Sequence, residues 1–114
     1  MKFSQRDVEG ATVIDIRGKL TGGPEAEVFR DMFKALVDQD KKNVILNLKD
    51  VDWIASTGIG IMIRGYKTVV EAGGRFVLVN VGERTQQIFN VMRLYDIFEI
   101  LETEEDAVKS ITGS

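Results

Sequence analysis

The sequence predicts a single α/β domain spanning residues 1–114, a mixed and mostly parallel sheet of four to five strands with an N-terminal β-hairpin and about four helices. Three observations predict it. Short runs rich in Val, Ile, Leu and Phe alternate with longer segments whose apolar residues recur at helical spacing. The first two runs are separated only by Glu9-Gly10, too short for anything but a hairpin turn. Every later run is reached through a helical segment, so those strands pair in parallel.

The elements follow in order. Phe3 to Val8 and Ala11 to Arg17 read as the hairpin, the second strand carrying the β-branched run Thr12-Val13-Ile14-Asp15-Ile16. After Thr21-Gly22-Gly23, Pro24 suits the first position of a helix that buries Val28, Phe29, Met32, Phe33, Leu36 and Val37 on one stripe. Val44 to Leu48 is a strand covered on both faces. A second helix runs from about Thr57 to Ala72 and stops at Gly73-Gly74, before the buried strand Phe76 to Val81. A third helix near Glu83 to Met92 should bury Ile88, Phe89 and Met92, and Ile97 to Leu101 is a short final strand. Thr103 with Asp106 three residues on resembles a capping box that opens a last helix burying Ala107, Val108 and Ile111.

Composition narrows the function. The net charge of −3 gives no general attraction for nucleic acid or anionic lipid. With neither His nor Cys, the chain has no thiol nucleophile, no imidazole base and no zinc site of the usual ligands, so neither a metal nor a cofactor is expected and catalysis is disfavoured. No stretch approaches the ~20 apolar residues of a membrane span, and the start lacks a secretory signal's apolar segment. The expected setting is cytoplasmic, with no membrane span and no nucleic-acid partner.

Asp52-Trp53-Ile54-Ala55-Ser56-Thr57-Gly58-Ile59-Gly60 links the third strand to the second helix and sets two hydroxyls and two glycines at a helix N-terminus, where free N–H groups and the dipole favour an anion. Ser56 there is either a plain N-cap or a functional hydroxyl. The G-x-x-x-x-G-K-[ST] phosphate loop is absent, and Ile63 occupies the slot of a dinucleotide fingerprint's third glycine. Plotted as a helix, Ile59, Met62, Ile63, Tyr66, Val69 and Val70 form a core arc, and Gly60, Arg64, Lys67 and Glu71 a solvent arc. Between them runs a smooth strip of Gly58, Ile61, Gly65, Thr68 and Ala72. A glycine inside a helix costs about 1 kcal/mol relative to Ala, so Gly65 answers either to another element packed over the strip or to a docking partner; docking requires Ile61 to be partly exposed.

Val13 to Leu20 with its G-x-L turn, Asn43 to Val51, Ala55-Ser56-Thr57-Gly58-Ile59-Gly60, Gly73 to Asn80 and Leu94 to Ile100 occur in an order and spacing that resembles the STAS family, shared by sulfate transporters and anti-sigma factor antagonists. The hydroxyl segment matches that family's D-S-[ST]-G-[LI]-G signature except at its first position, where Ala55 replaces Asp; Thr21 likewise stands after the G-x-L turn where many phosphorylated members have Asp.

The resemblance implies an anti-sigma factor antagonist, a partner-switching binding module and not an enzyme. Unphosphorylated, such a protein sequesters an anti-sigma factor that is also a serine kinase and thereby frees a sigma factor; phosphorylation ends the complex, and a metal-dependent serine phosphatase restores it. By this resemblance the phosphorylated residue is Ser56, with Thr57 the adjacent alternative. Together with the smooth strip, the expected partner surface comprises Thr21, Ala55, Ser56, Thr57, Gly58, Ile61, Gly65 and Thr68. Two alternatives remain: an unphosphorylated scaffold or accessory of the same fold in a signalling or lipid-transport complex, and an α/β protein using the helix N-terminus as an anion site.

Overall fold

A computed structural model describes residues 2–113. The strands β1 (Lys2–Val8) and β2 (Ala11–Leu20) form the hairpin, with Val8 opposite Ala11. Glu9 and Gly10 both have positive φ, 41° and 82°, which gives the turn the twist that a two-residue hairpin needs. Then follow α1 (Glu25–Asp38), β3 (Asn43–Ile54), α2 (Ser56–Glu71), β4 (Arg75–Val79), α3 (Glu83–Val91), a 3₁₀ turn at Leu94–Asp96, β5 (Glu99–Ile100) and α4 (Glu104–Thr112). The sheet order is β1-β2-β3-β4-β5, antiparallel between β1 and β2 and parallel elsewhere. No helix among the described residues is long and apolar enough to cross a membrane.

The two sheet faces are covered unequally. One packs Ile14, Ile16, Leu20, Val44, Leu46, Phe76 and Leu78 against α1, α2 and Phe89 of α3. Aromatic rings bind this layer, with Phe29 and Phe33 edge to face at 4.8 Å and Phe76 stacked on Phe98 at 5.9 Å. The other face carries a smaller cluster of Ala11, Val13, Ile45, Val77 and Val79, covered by Ala107 and Val108 of α4. The Thr103 side chain accepts from the Asp106 N–H at 3.1 Å, the N-terminal half of the expected capping box.

Several expectations require correction. β3 runs to Ile54, well past Leu48, because Asp50 to Ile54 pair with an equally extended β2 across two register shifts; those irregularities erase the period-two signal. β5 shrinks to two residues, since Leu94 to Asp96 turn as 3₁₀ helix and delay the strand. Met92 is 48% exposed: it caps α3, and Arg93 with φ 56° swings the chain away before Met92 can follow Phe89 inward. Val28 and Val70 are also exposed, each lying at the margin of its helix's buried stripe.

Candidate functional site

The site is built where β2 and β3 end together. Leu20 pairs with Ile54, both side chains are buried, and the next residue's N–H, that of Ala55, donates to the Leu20 carbonyl at 3.0 Å. That carbonyl therefore lies against the first turn of α2. A Cβ on Gly58 would sit 2.1 Å from the Leu20 oxygen, so no side chain fits without moving backbone. Gly58 is a contact between two backbones.

Ala55 is the N-cap, extended at φ −88° and ψ 162°, and its carbonyl accepts from the Ile59 N–H at 3.0 Å. Ser56 is thus the first helical residue, which corrects its reading as the cap. Its side chain is exposed and takes part in no hydrogen bond among the described residues. The hydroxyl of Thr57 is engaged: its Oγ1 accepts from the Gly22 N–H at 3.0 Å, tying the loop before α1 to the start of α2. A Cβ on Gly22 would lie 2.8 Å from the Thr57 Cβ, so this loop also approaches closely because of a glycine. Neither an acidic residue nor a capping side chain offsets the positive end of α2, leaving it electrostatically receptive to a dianion on Ser56.

The expected partner surface divides. Thr21, Ala55, Ser56 and Thr57 come together at the mouth, the first two half-buried and the hydroxyl pair exposed. Gly58, Ile61 and Gly65 do not join them at the surface; Ile61 is only 5% exposed, and a Cβ on Gly65 would lie 2.7 Å from the Phe33 ring. The strip is internal packing. Small residues let α1 approach α2, and this rotates the buried arc of α2 toward Gly58, Ile61 and Gly65 and leaves Val70 outside. Thr68, half-buried three turns along, donates its hydroxyl to the Arg64 carbonyl at 3.0 Å and is remote from Ser56. One residue at the mouth was not anticipated: Trp53, 45% exposed and three positions before Ser56, an aromatic that the core did not take up.

Residues 3–107 match the sequence profile of the STAS domain. The chain belongs to the STAS domain family. Among its relatives, the anti-sigma-B factor antagonist of Bacillus subtilis is 33% identical over 84 residues, 74% of this chain and 76% of that protein. In three dimensions the chain is similar to an anti-sigma factor antagonist of Mycobacterium paratuberculosis, with a TM-score of 0.82, 21% identity, and coverage of 97% and 93% of the two chains. It is also similar to the anti-sigma factor antagonist SpoIIAA in its unphosphorylated form, with a TM-score of 0.77 and 21% identity over 99% of this chain and 100% of that one. SpoIIAA, a Bacillus cell fate determinant, is known in a phosphorylated form as well. At these identities the structural likenesses speak for the fold alone.

Proposed function

We propose that the chain is an anti-sigma factor antagonist, a regulatory binding protein that docks an anti-sigma factor through the first turn of α2 and the adjoining Thr21 to Gly23 loop. Phosphorylation of Ser56 by that anti-sigma factor, acting as a serine kinase, ends the complex, and a metal-dependent serine phosphatase renews it. One observation carries the reading: of two adjacent hydroxyls at the helix mouth, Ser56 is exposed and unengaged while Thr57 is held by Gly22. A phosphate of about −1.5 to −2 charge on Ser56 meets a favourable helix end, so the modified protein stays folded, while its bulk and hydration oppose an apolar partner at the same place.

Incubation with the cognate anti-sigma kinase and Mg-ATP is expected to add a single phosphate, located on Ser56 by peptide mass spectrometry. Phosphate on Thr57 alone would refute the residue assignment. Tight binding of the kinase without any phosphorylation would favour the unphosphorylated scaffold, a reading supported by Ala55 and Thr21 standing where phosphorylated family members carry Asp.

A further inference from the structure

The loop that carries the chain from β2 to α1 is fastened at three successive points. The Leu20 carbonyl accepts from the Ala55 N–H at 3.0 Å, the Gly22 N–H donates to the Thr57 Oγ1 at 3.0 Å, and the Gly23 carbonyl accepts from the Ala26 N–H at 2.9 Å in the first turn of α1. The bonds on either side of Gly22 hold it over Thr57. A Cβ on Gly22 would meet the Thr57 Cβ at 2.8 Å and the Thr57 carbonyl oxygen at 3.2 Å. Gly22 is not among the glycines with positive φ, so what glycine supplies here is close approach and not backbone freedom.

The tie makes two neighbouring hydroxyls unequal. Ser56 and Thr57 both lie exposed in the first turn of α2, and exposure alone does not separate them. The Thr57 oxygen has a lone pair engaged by the Gly22 N–H, whereas the Ser56 side chain takes part in no hydrogen bond among the described residues. In phosphoryl transfer the hydroxyl oxygen bonds to the γ-phosphorus of ATP, the bond from that phosphorus to the ADP oxygen breaks, and the hydroxyl proton passes to a base on the kinase. To present its oxygen in line, Thr57 must turn about its Cα–Cβ bond, away from Gly22. A β-branched side chain in a helix has few rotamers for this, and the turn breaks the hydrogen bond. Ser56 turns without breaking any.

We propose that Gly22 is a positioning residue that directs phosphorylation to one hydroxyl of the pair, by withholding Thr57 and leaving Ser56 as the acceptor. The inference rests on the reading of Ser56 as a phosphorylated residue and deepens it: selectivity lies in the loop before α1 and not in the difference between serine and threonine.

The test compares positions 56 and 57 within one full-length chain, so that the affinity of the kinase cancels. Thr57→Ser keeps the oxygen that Gly22 holds but makes the two side chains chemically alike. After limited reaction with the cognate anti-sigma kinase and Mg-ATP, peptide mass spectrometry of T57S is expected to find phosphate on position 56 over position 57 by about tenfold, the scale of one hydrogen bond. Adding Gly22→Ala pushes the loop off position 57, and the ratio should then fall severalfold toward one. Equal phosphate on both positions in T57S, or a ratio that Gly22→Ala leaves unchanged, overturns the proposal. If circular dichroism shows that Gly22→Ala impairs folding, amide exchange at Gly22 in the unsubstituted chain decides together with T57S. Protection of that amide supports the tie, and exchange at the rate of a free loop amide overturns it. A parent chain phosphorylated on Ser56 together with an indifferent T57S ratio defeats only this inference. A parent that takes no phosphate from its kinase defeats the reading of Ser56 and this inference with it.

Discussion

The first turn of α2 and the two turns behind it carry similar small or weakly polar residues, yet they meet different surroundings. Ser56 and Thr57 open to solvent. Gly58, Ile61 and Gly65 are sealed, the first by the Leu20 carbonyl and the last by the Phe33 ring. A smooth helical strip is therefore ambiguous in itself: it suits close packing by a neighbour of the same chain as well as docking by another. What divides the two regions is the length of the neighbours. α1 covers α2 behind the mouth, while at the mouth only the short loop Thr21 to Pro24 reaches across, held by Gly22 to Thr57. A chemical switch needs the open region, and a stable fold needs the sealed one.

The largest effect that sharpens this contrast is expected in the sealed region. Ile61→Arg forces a charge into a site only 5% exposed, within the larger core cluster, and should cost about 3–5 kcal/mol, comparable to leaving a buried charge unpaired. For a domain of this size each kcal/mol lowers the thermal midpoint by roughly 4–8 °C, so unfolding monitored by circular dichroism will show it readily. A midpoint close to that of the parent would mean that the strip is open after all and return it to the partner surface.

A smaller effect lies at the boundary. Thr57→Val keeps the shape and β-branching of the side chain but removes the acceptor for the Gly22 N–H, which lies in an exposed loop where water can replace it. The expected loss is about 1 kcal/mol or less, the range of a net hydrogen bond. Amide hydrogen exchange at Gly22 should accelerate by a larger factor than exchange in the β2–β3 ladder. Uniform acceleration would mean that Thr57 supports the whole domain and does not simply tie the loop.

Why some of this was legible in the sequence and some was not follows from the range of the interactions involved. The hairpin at Glu9-Gly10, the cap at Thr103 and the alternation of strands with helices are local, and each leaves its mark within a few residues. The direction in which α2 faces the core is set by α1. Phe33 and Gly65 are 32 positions apart in sequence, and no period within α2 reveals that they meet. The cap was misassigned for a related reason: Ser is a strong N-cap by preference, but the bond from Ala55 to Leu20 holds Ala55 extended and starts the helix one residue earlier than a serine cap would. Trp53 was passed over because apolar residues at strand ends are read as core, and only the pairing of Lys19 with Trp53, one step before the buried Leu20 and Ile54, turns it outward.

The central claim is that the mouth of α2 serves binding and contributes little to folding, and Ser56→Asp tests it most directly. Asp at the first helical position suits the dipole, so the unfolding free energy should stay within about 0.5 kcal/mol of the parent. The dissociation constant for the cognate anti-sigma factor, measured by isothermal titration calorimetry on the same preparation, should rise at least about tenfold, equivalent to about 1.4 kcal/mol. An unchanged dissociation constant with unchanged stability would contradict the account, because the open first turn would then be neither a structural cap nor a docking surface.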